Sequence, residues 1–147
     1  MTAILRFFNL SFSDKCLSLE AYILLGIARI AVLVLPFRWV ASSIGKQIRI
    51  DEAIDNENIM LPISEIRRIG RAIRRAGRYT PWNSNCLAKA IAGQYMLHRR
   101  QISNSLYFGM HKVNGKFEAH AWLRSNGMVL TGGSDLDRYT IVAKFVN

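Results

Sequence analysis

Three residue types that can together transfer an acyl group are spread through the second half of the chain: Cys86, His120 and Asp135. A thiol attacks a carbonyl as its thiolate, a form favoured by the positive end of a helix and by a nearby imidazole. Cys86 follows the polar, turn-prone run TPWNSN and stands where an apolar stretch, CLAKAIAGQYML, begins. Asn83, Ser84 or Asn85 can cap a helix there, because short polar side chains satisfy the free backbone N–H groups of a first turn. The imidazole candidates are His98, His111 and His120. In KFEAHAWLR, strand alternation puts Glu118, His120 and Trp122 on one face and Phe117, Ala119, Ala121 and Leu123 on the other. The alanines beside His120 leave room for a substrate or a facing helix. His98 lies among HRR at a helix end, and His111 lies near a turn; both positions suit solvent. A third group is needed to accept the other imidazole N–H. Asp135 is carried back beside His120 by a hairpin at Asn126-Gly127, with Asp137 and Asn83 as alternatives. Such a set performs nucleophilic catalysis on a carbonyl.

These residues need a helix and a sheet to hold them. Asn114-Gly115 and Asn126-Gly127 separate the short runs SLYFGMHKV, KFEAHAWL and MVLTGG, and a further run, YTIVAKF, follows. Asn-Gly between alternating runs signals tight hairpins, so an antiparallel meander is expected. Upstream, Ile66, Ile69, Ile73 and Ala76 make an apolar stripe at helical spacing. Arg67, Arg68, Arg71, Arg74, Arg75 and Arg78 cover the other face, with Ser64 as the expected N-cap and Gly77 as the expected C-cap. Residues 14–35 read as a long apolar helix, capped by Ser13 or Asp14 and ended by Pro36, with a shorter amphipathic piece after it. The acidic run DEAIDNENIM then reads as a surface connection, placing a soft boundary near residue 60. The expectation is an α+β fold: an N-terminal helical region, 1–60, followed by a core, 61–147, in which the cysteine-bearing helix lies on an antiparallel sheet.

Half of the 147 residues are hydrophobic, enough for a real core. Two distant cysteines, Cys16 and Cys86, argue against a disulfide framework or a structural zinc site and fit a reducing, cytoplasmic compartment. No metal-ligand cluster stands out, and no cofactor is expected. The run Ala21–Pro36 is sixteen residues long and contains Arg29, short of the roughly 20 apolar residues of a spanning helix. A buried or interfacial helix is expected there, with contact at a membrane surface as a further possibility. The net charge of +10 is uneven: residues 61–100 carry nine basic and one acidic side chain. An acidic partner should therefore be drawn to that segment. A nucleic acid is the rival ligand for six arginines on one helix, but no aromatic platform or DNA-binding signature accompanies them.

The stretches PWNSNCLAKAIAGQYMLHRRQI, LYFGMHK and FEAHAWLRSNGMVLTGG resemble the B-type leader peptidases of lasso-peptide biosynthesis, which are transglutaminase-like, papain-related cysteine proteases. The specific element is Ala-His-Ala-Trp thirty-odd residues after Cys-Leu. The likeness is close over about residues 62–147, and an opening RFFNLS, an apolar helix and Leu-Pro-Phe-Arg extend it weakly upstream. It implies Cys86 as nucleophile, His120 as general base and acid, and an Asp on the next strand, best matched by Asp135. Some relatives carry an acidic residue three before the cysteine; here that place holds Asn83. The resemblance also implies partners: a precursor with a leader region, a separate small leader-recognition protein and an ATP-dependent lasso cyclase. No winged-helix recognition domain is read after residue 60. Arg67, Arg71, Arg74 and Arg78, with Trp82 and Trp122, are the expected substrate- or partner-binding residues, and the Trp82 indole N–H is a candidate oxyanion donor.

Overall fold

The computed structural model describes residues 3–51, 63–82 and 85–147. A short helix α1 (Ala3–Phe8) precedes a long one, α2 (Phe12–Val34), then α3 (Phe37–Ser43) and a strand β1 (Lys46–Ile48). Two further helices follow, α4 (Ile63–Tyr79) and α5 (Cys86–His98). The rest is β2 (Ser105–Val113), β3 (Lys116–Ser125), β4 (Met128–Thr131), a 3-10 turn at Leu136–Arg138 and β5 (Thr140–Val146). The architecture is α+β, with helices on an antiparallel sheet.

Helix α2 starts earlier than the sequence suggested. Its cap is Ser11, whose side chain accepts from the Asp14 backbone N–H, rather than Ser13 or Asp14. Those two residues instead receive Arg68: Nε reaches the Asp14 carboxylate at 2.9 Å and Nη2 reaches Ser13 Oγ at 2.6 Å. The Arg68 hydrogen bond, seconded by the Ser11 hydroxyl, holds the Asp14 carboxyl below the usual carboxylate range. Arg75 likewise donates to Ser18 Oγ at 2.8 Å. Two of the six arginines of α4 therefore belong to the helix–helix contact, and Arg67, Arg71, Arg74 and Arg78 form a separate exposed stripe at spacings of four, three and four. Ser64 and Gly77 lie inside α4 rather than at its caps. Glu20 ties α2 to the end of α5 through Arg100 at 2.8 Å and Arg99 at 3.3 Å; the Glu20 hydrogen bond pushes the Arg100 pKa upward.

The sheet order is β1-β5-β2-β3-β4, all neighbours antiparallel. Both Asn-Gly pairs form the expected turns, with positive φ at all four residues (Asn114 49°, Gly115 79°, Asn126 48°, Gly127 71°). Strands β2, β3 and β4 are thus a meander. The last strand departs from it: β5 crosses to the far side of β2 instead of pairing with β4. One hydrophobic core joins Leu17, Ala21 and Leu25 of α2 to Ile66, Ile69 and Ile73 of α4, Met96 and Leu97 of α5, and Leu106, Leu123 and Phe145 of the sheet. The boundary expected near residue 60, with its acidic connection, lies outside the described residues except for Asp51; the elements on either side share this core. Core burial explains why one face of α2 is committed to the protein, while Leu19, Ile23, Ile27, Ile30 and Leu33 stay exposed on the other.

Candidate active site

Cys86 is the first residue of α5, and its position follows from the cap before it. Asn85, in extended conformation, accepts from the Ala88 backbone N–H at 2.9 Å through its side chain, and its carbonyl accepts from Lys89 N–H at 3.1 Å. Cys86 therefore stands at the positive end of the α5 dipole. Cys86 is half-buried, while the second cysteine, Cys16, is exposed on α2.

His120 sits in the middle of β3, directly across from Gly109 of β2. Its strand neighbour Ala121 and the next-but-two Leu123 enter the core beneath the helices. The imidazole takes the other parity, a departure from the simple picture of a histidine on the helix-packed face. Its ring lies 4.9 Å from the Tyr139 ring and 6.1 Å from Trp122, which is buried to 4% exposure and stacks on Tyr107 at 5.6 Å. Gly109 makes this possible. A Cβ there would stand 2.7 Å from Trp122 Cζ3 and 2.8 Å from Tyr139 Cβ, so only hydrogen fits under the two rings that flank His120.

Cys86 and His120 line one cleft of about 450 Å³, together with Ile73, Arg74, Lys89 and the Val129–Ser134 segment. Among the described residues the imidazole's hydrogen bond is to the carbonyl of Gly132, with Nε2 at 2.7 Å from the oxygen. A carbonyl only accepts, so Nε2 carries the hydrogen in the neutral ring and Nδ1 keeps its lone pair free as a base. Gly132 has φ +72°, in the left-handed region, and a Cβ there would fall 2.4 Å from the Ala121 carbonyl oxygen. The TGG turn after β4 thus brings a backbone acceptor to the position where an acidic side chain is expected.

The structure distributes the other expected residues unevenly. Asp135 begins the 3-10 turn with φ 54°; its side chain is 68% exposed and pairs with Arg138 at 3.7 Å. Asp137 is exposed on that turn, and Asn83 lies outside the described residues. Arg74 reaches the cleft and donates to the Leu130 carbonyl at 3.0 Å, and Arg67 and Arg71 line the adjoining groove. Arg78 is exposed further along α4. Trp82 is directed at α2 instead: its ring centroid is 5.3 Å from that of Tyr22, and its indole stands over Gly26, with the Nε1 buried and without a partner among the described residues. It is not among the residues lining the cleft. Sequence reasoning missed Gly132, Tyr139 and Lys89. The signal for Gly132 was available in Gly-Gly directly after a strand, and that for Lys89 in its place one helical turn beyond Cys86. Among the described residues, no group of histidine, cysteine and carboxylate side chains is arranged to hold a metal ion.

A family model for the transglutaminase-like superfamily matches residues 31–144, more than three quarters of the chain. The protein belongs to the transglutaminase-like superfamily. Comparison with curated proteins and with solved structures gave no match.

Proposed function

We propose that this protein is a cysteine peptidase that removes the leader from a lasso-peptide precursor, working with a small leader-recognition protein ahead of an ATP-dependent cyclase. The observation that carries the reading is the shared cleft: a thiol at a capped helix start and an imidazole with a free Nδ1 line the same cavity. The lasso-specific part rests on the Cys-Leu and Ala-His-Ala-Trp resemblance.

In this mechanism the Cys86 sulfur attacks the carbonyl carbon at the leader–core junction as Nδ1 of His120 takes the thiol proton. Backbone N–H groups at the start of α5 stabilise the oxyanion. The imidazolium then gives its proton to the leaving amine, the C–N bond breaks, and the core peptide departs with a free N-terminus. The leader stays on sulfur as a thioester. Water, deprotonated by His120, attacks that carbonyl and expels the thiolate, freeing the leader carboxylate. The Gly132 carbonyl holds the ring through both half-reactions, and Asp135 is the side chain proposed to add negative charge near the imidazolium. Incubating protein, precursor and leader-binding protein and reading product masses tests the reading: cleavage at one bond is expected. In the same assay Asp135→Asn is expected to slow cleavage by a larger factor than Asp137→Asn. The reverse order would transfer the acidic role to Asp137.

We further propose that the protein is cytoplasmic and held at the membrane surface; the exposed stripe of α2 supports the surface contact. Helix α2, 23 residues long, has the length and composition to cross a bilayer, but its Leu17, Ala21, Leu25 and Ala28 face is buried in the core. Leu19, Ile23, Ile27, Ile30 and Leu33 are left to lie in an interface, with exposed Phe37 and Trp39 beyond them. Flotation with anionic vesicles is expected for the wild type and is expected to be lost in Ile27→Asp/Ile30→Asp. Wild-type protein remaining at the bottom of the gradient would remove the membrane from the account.

A further inference from the structure

Strand β4 is the outer strand of the sheet among the described residues, paired with β3 on one side only. An edge strand offers unpaired backbone groups to any extended chain that comes alongside. This edge is flanked by α4, and between them runs a groove of about 280 Å³ lined by Ile66, Arg67, Gly70, Arg71, Arg74 and residues 128–130. The groove and the Cys86–His120 cleft share Arg74, Val129 and Leu130, so one leads into the other.

Its chemistry is specific. Arg67 and Arg71 are exposed, and neither has an ion-pair partner among the described residues, whereas Arg68 and Arg75 of the same helix are engaged by α2. Arg74 donates to the Leu130 carbonyl at 3.0 Å, where the register of β4 against β3 shifts. Val129 is 36% exposed and Gly70 keeps the groove floor low: a Cβ there would meet Arg74 Nη1 at 3.4 Å. Along α4, Arg67 to Arg74 span roughly 10 Å at 1.5 Å per residue. Alternate side chains of an extended peptide repeat at roughly 6.6 Å, close to the roughly 6 Å between Arg67 and Arg71, and the long Arg74 side chain has to make up the shorter last step.

We propose that this groove is the peptide channel of the site: an extended, acidic segment of the substrate adds to the edge of β4 as a further antiparallel or parallel strand. Its carboxylates pair with Arg67, Arg71 and Arg74, and Arg74 exchanges the Leu130 carbonyl for a carboxylate. The inference rests on the peptidase reading for what happens in the cleft, but the binding itself does not need the thiol.

The test uses fluorescence anisotropy of a labelled eight-residue peptide alternating glutamate and valine, with Cys86→Ala protein so that nothing is turned over. Binding is expected to weaken at least tenfold for the glutamine-for-glutamate peptide and for Arg67→Gln/Arg71→Gln/Arg74→Gln. A similar loss is expected for the acidic peptide N-methylated at every residue, which keeps its charge but can donate to a strand edge from neither side. Equal binding of the N-methylated and parent peptides would overturn strand addition. Equal binding of the neutral peptide would overturn carboxylate recognition. A single-stranded 20-mer DNA that binds tighter than the peptide and is lost in the same triple variant would assign the arginines to nucleic acid. The peptidase reading is judged separately by whether Cys86→Ala still cleaves precursor, so either can fail alone.

Discussion

Cys86→Ala is expected to lower leader cleavage by on the order of 10⁴-fold or more, and His120→Ala by a similar factor, with the far-UV circular dichroism of both unchanged. The size follows from the division of labour. Without sulfur there is no thioester path, and the bare cleft retains only its oxyanion donors and its hold on the peptide. Without imidazole the thiol has no proton acceptor and the departing amine no donor. Because the two act as a unit, the double variant should be about as slow as either single one rather than slower by the product of both factors. Neither change should cost much stability. Cys86 is only half-buried at a helix end whose cap is supplied by Asn85, and His120 is flanked by rings that stay in place through Trp122–Tyr107 stacking. Cleavage at the wild-type rate by either variant would remove the pair from the mechanism.

Gly132→Ala is expected to slow cleavage by on the order of 10²-fold, the loss that a misplacement of about 1 Å in a catalytic constellation can produce. The new methyl has nowhere to go: it would lie 2.4 Å from the Ala121 carbonyl oxygen and 3.2 Å from His120 Nε2, in a backbone conformation that alanine adopts poorly. The turn must shift, and with it the carbonyl that fixes which imidazole nitrogen bears hydrogen. A stability loss of about 1–3 kcal/mol should accompany it, from the left-handed backbone alone. Gly133→Ala is the control, since its Cβ would meet only Val129, at 3.3 Å and 3.8 Å. The two variants are best compared by their pH–rate profiles. If the carbonyl orients the base, the imidazole limb moves in Gly132→Ala and stays put in Gly133→Ala. Matching profiles would reduce Gly132 to a packing role.

Local signals in the sequence carried most of the elements and few of their partners: α1 went unread, and β1, which joins the sheet beside β5, lay within the stretch read as an amphipathic piece. The Asn-Ser-Asn-Cys run announced a capped helix start, and Asn85 proved to be the cap. The Asn-Gly pairs announced two hairpins, because only a few residue types tolerate the positive φ that these turns impose. What the sequence left hidden depends on contacts between distant segments. The route of β5 to β2 is decided by which sheet edge can bury Phe145 beside Leu106, not by anything near residue 140. The sorting of the α4 arginines depends on Asp14 and Ser18, more than fifty positions away. His120 alternates with Ala121 as expected, yet the side of the sheet covered by helices was invisible until the core formed around Ala121 and Leu123. The imidazole's acceptor was the hardest to foresee, because a backbone carbonyl leaves no residue-type signature beyond the glycine that lets it turn.

The most direct test of the Cys86–His120 pair is the rate of alkylation of each cysteine by iodoacetamide at pH 6.5, read by peptide mass in wild type and His120→Ala. Exposed Cys16 serves as the internal standard. Cys86 is predicted to react at least tenfold more slowly in His120→Ala, while Cys16 is labelled alike in both. Equal rates at Cys86 in the two proteins would contradict the claim that this imidazole serves this thiol.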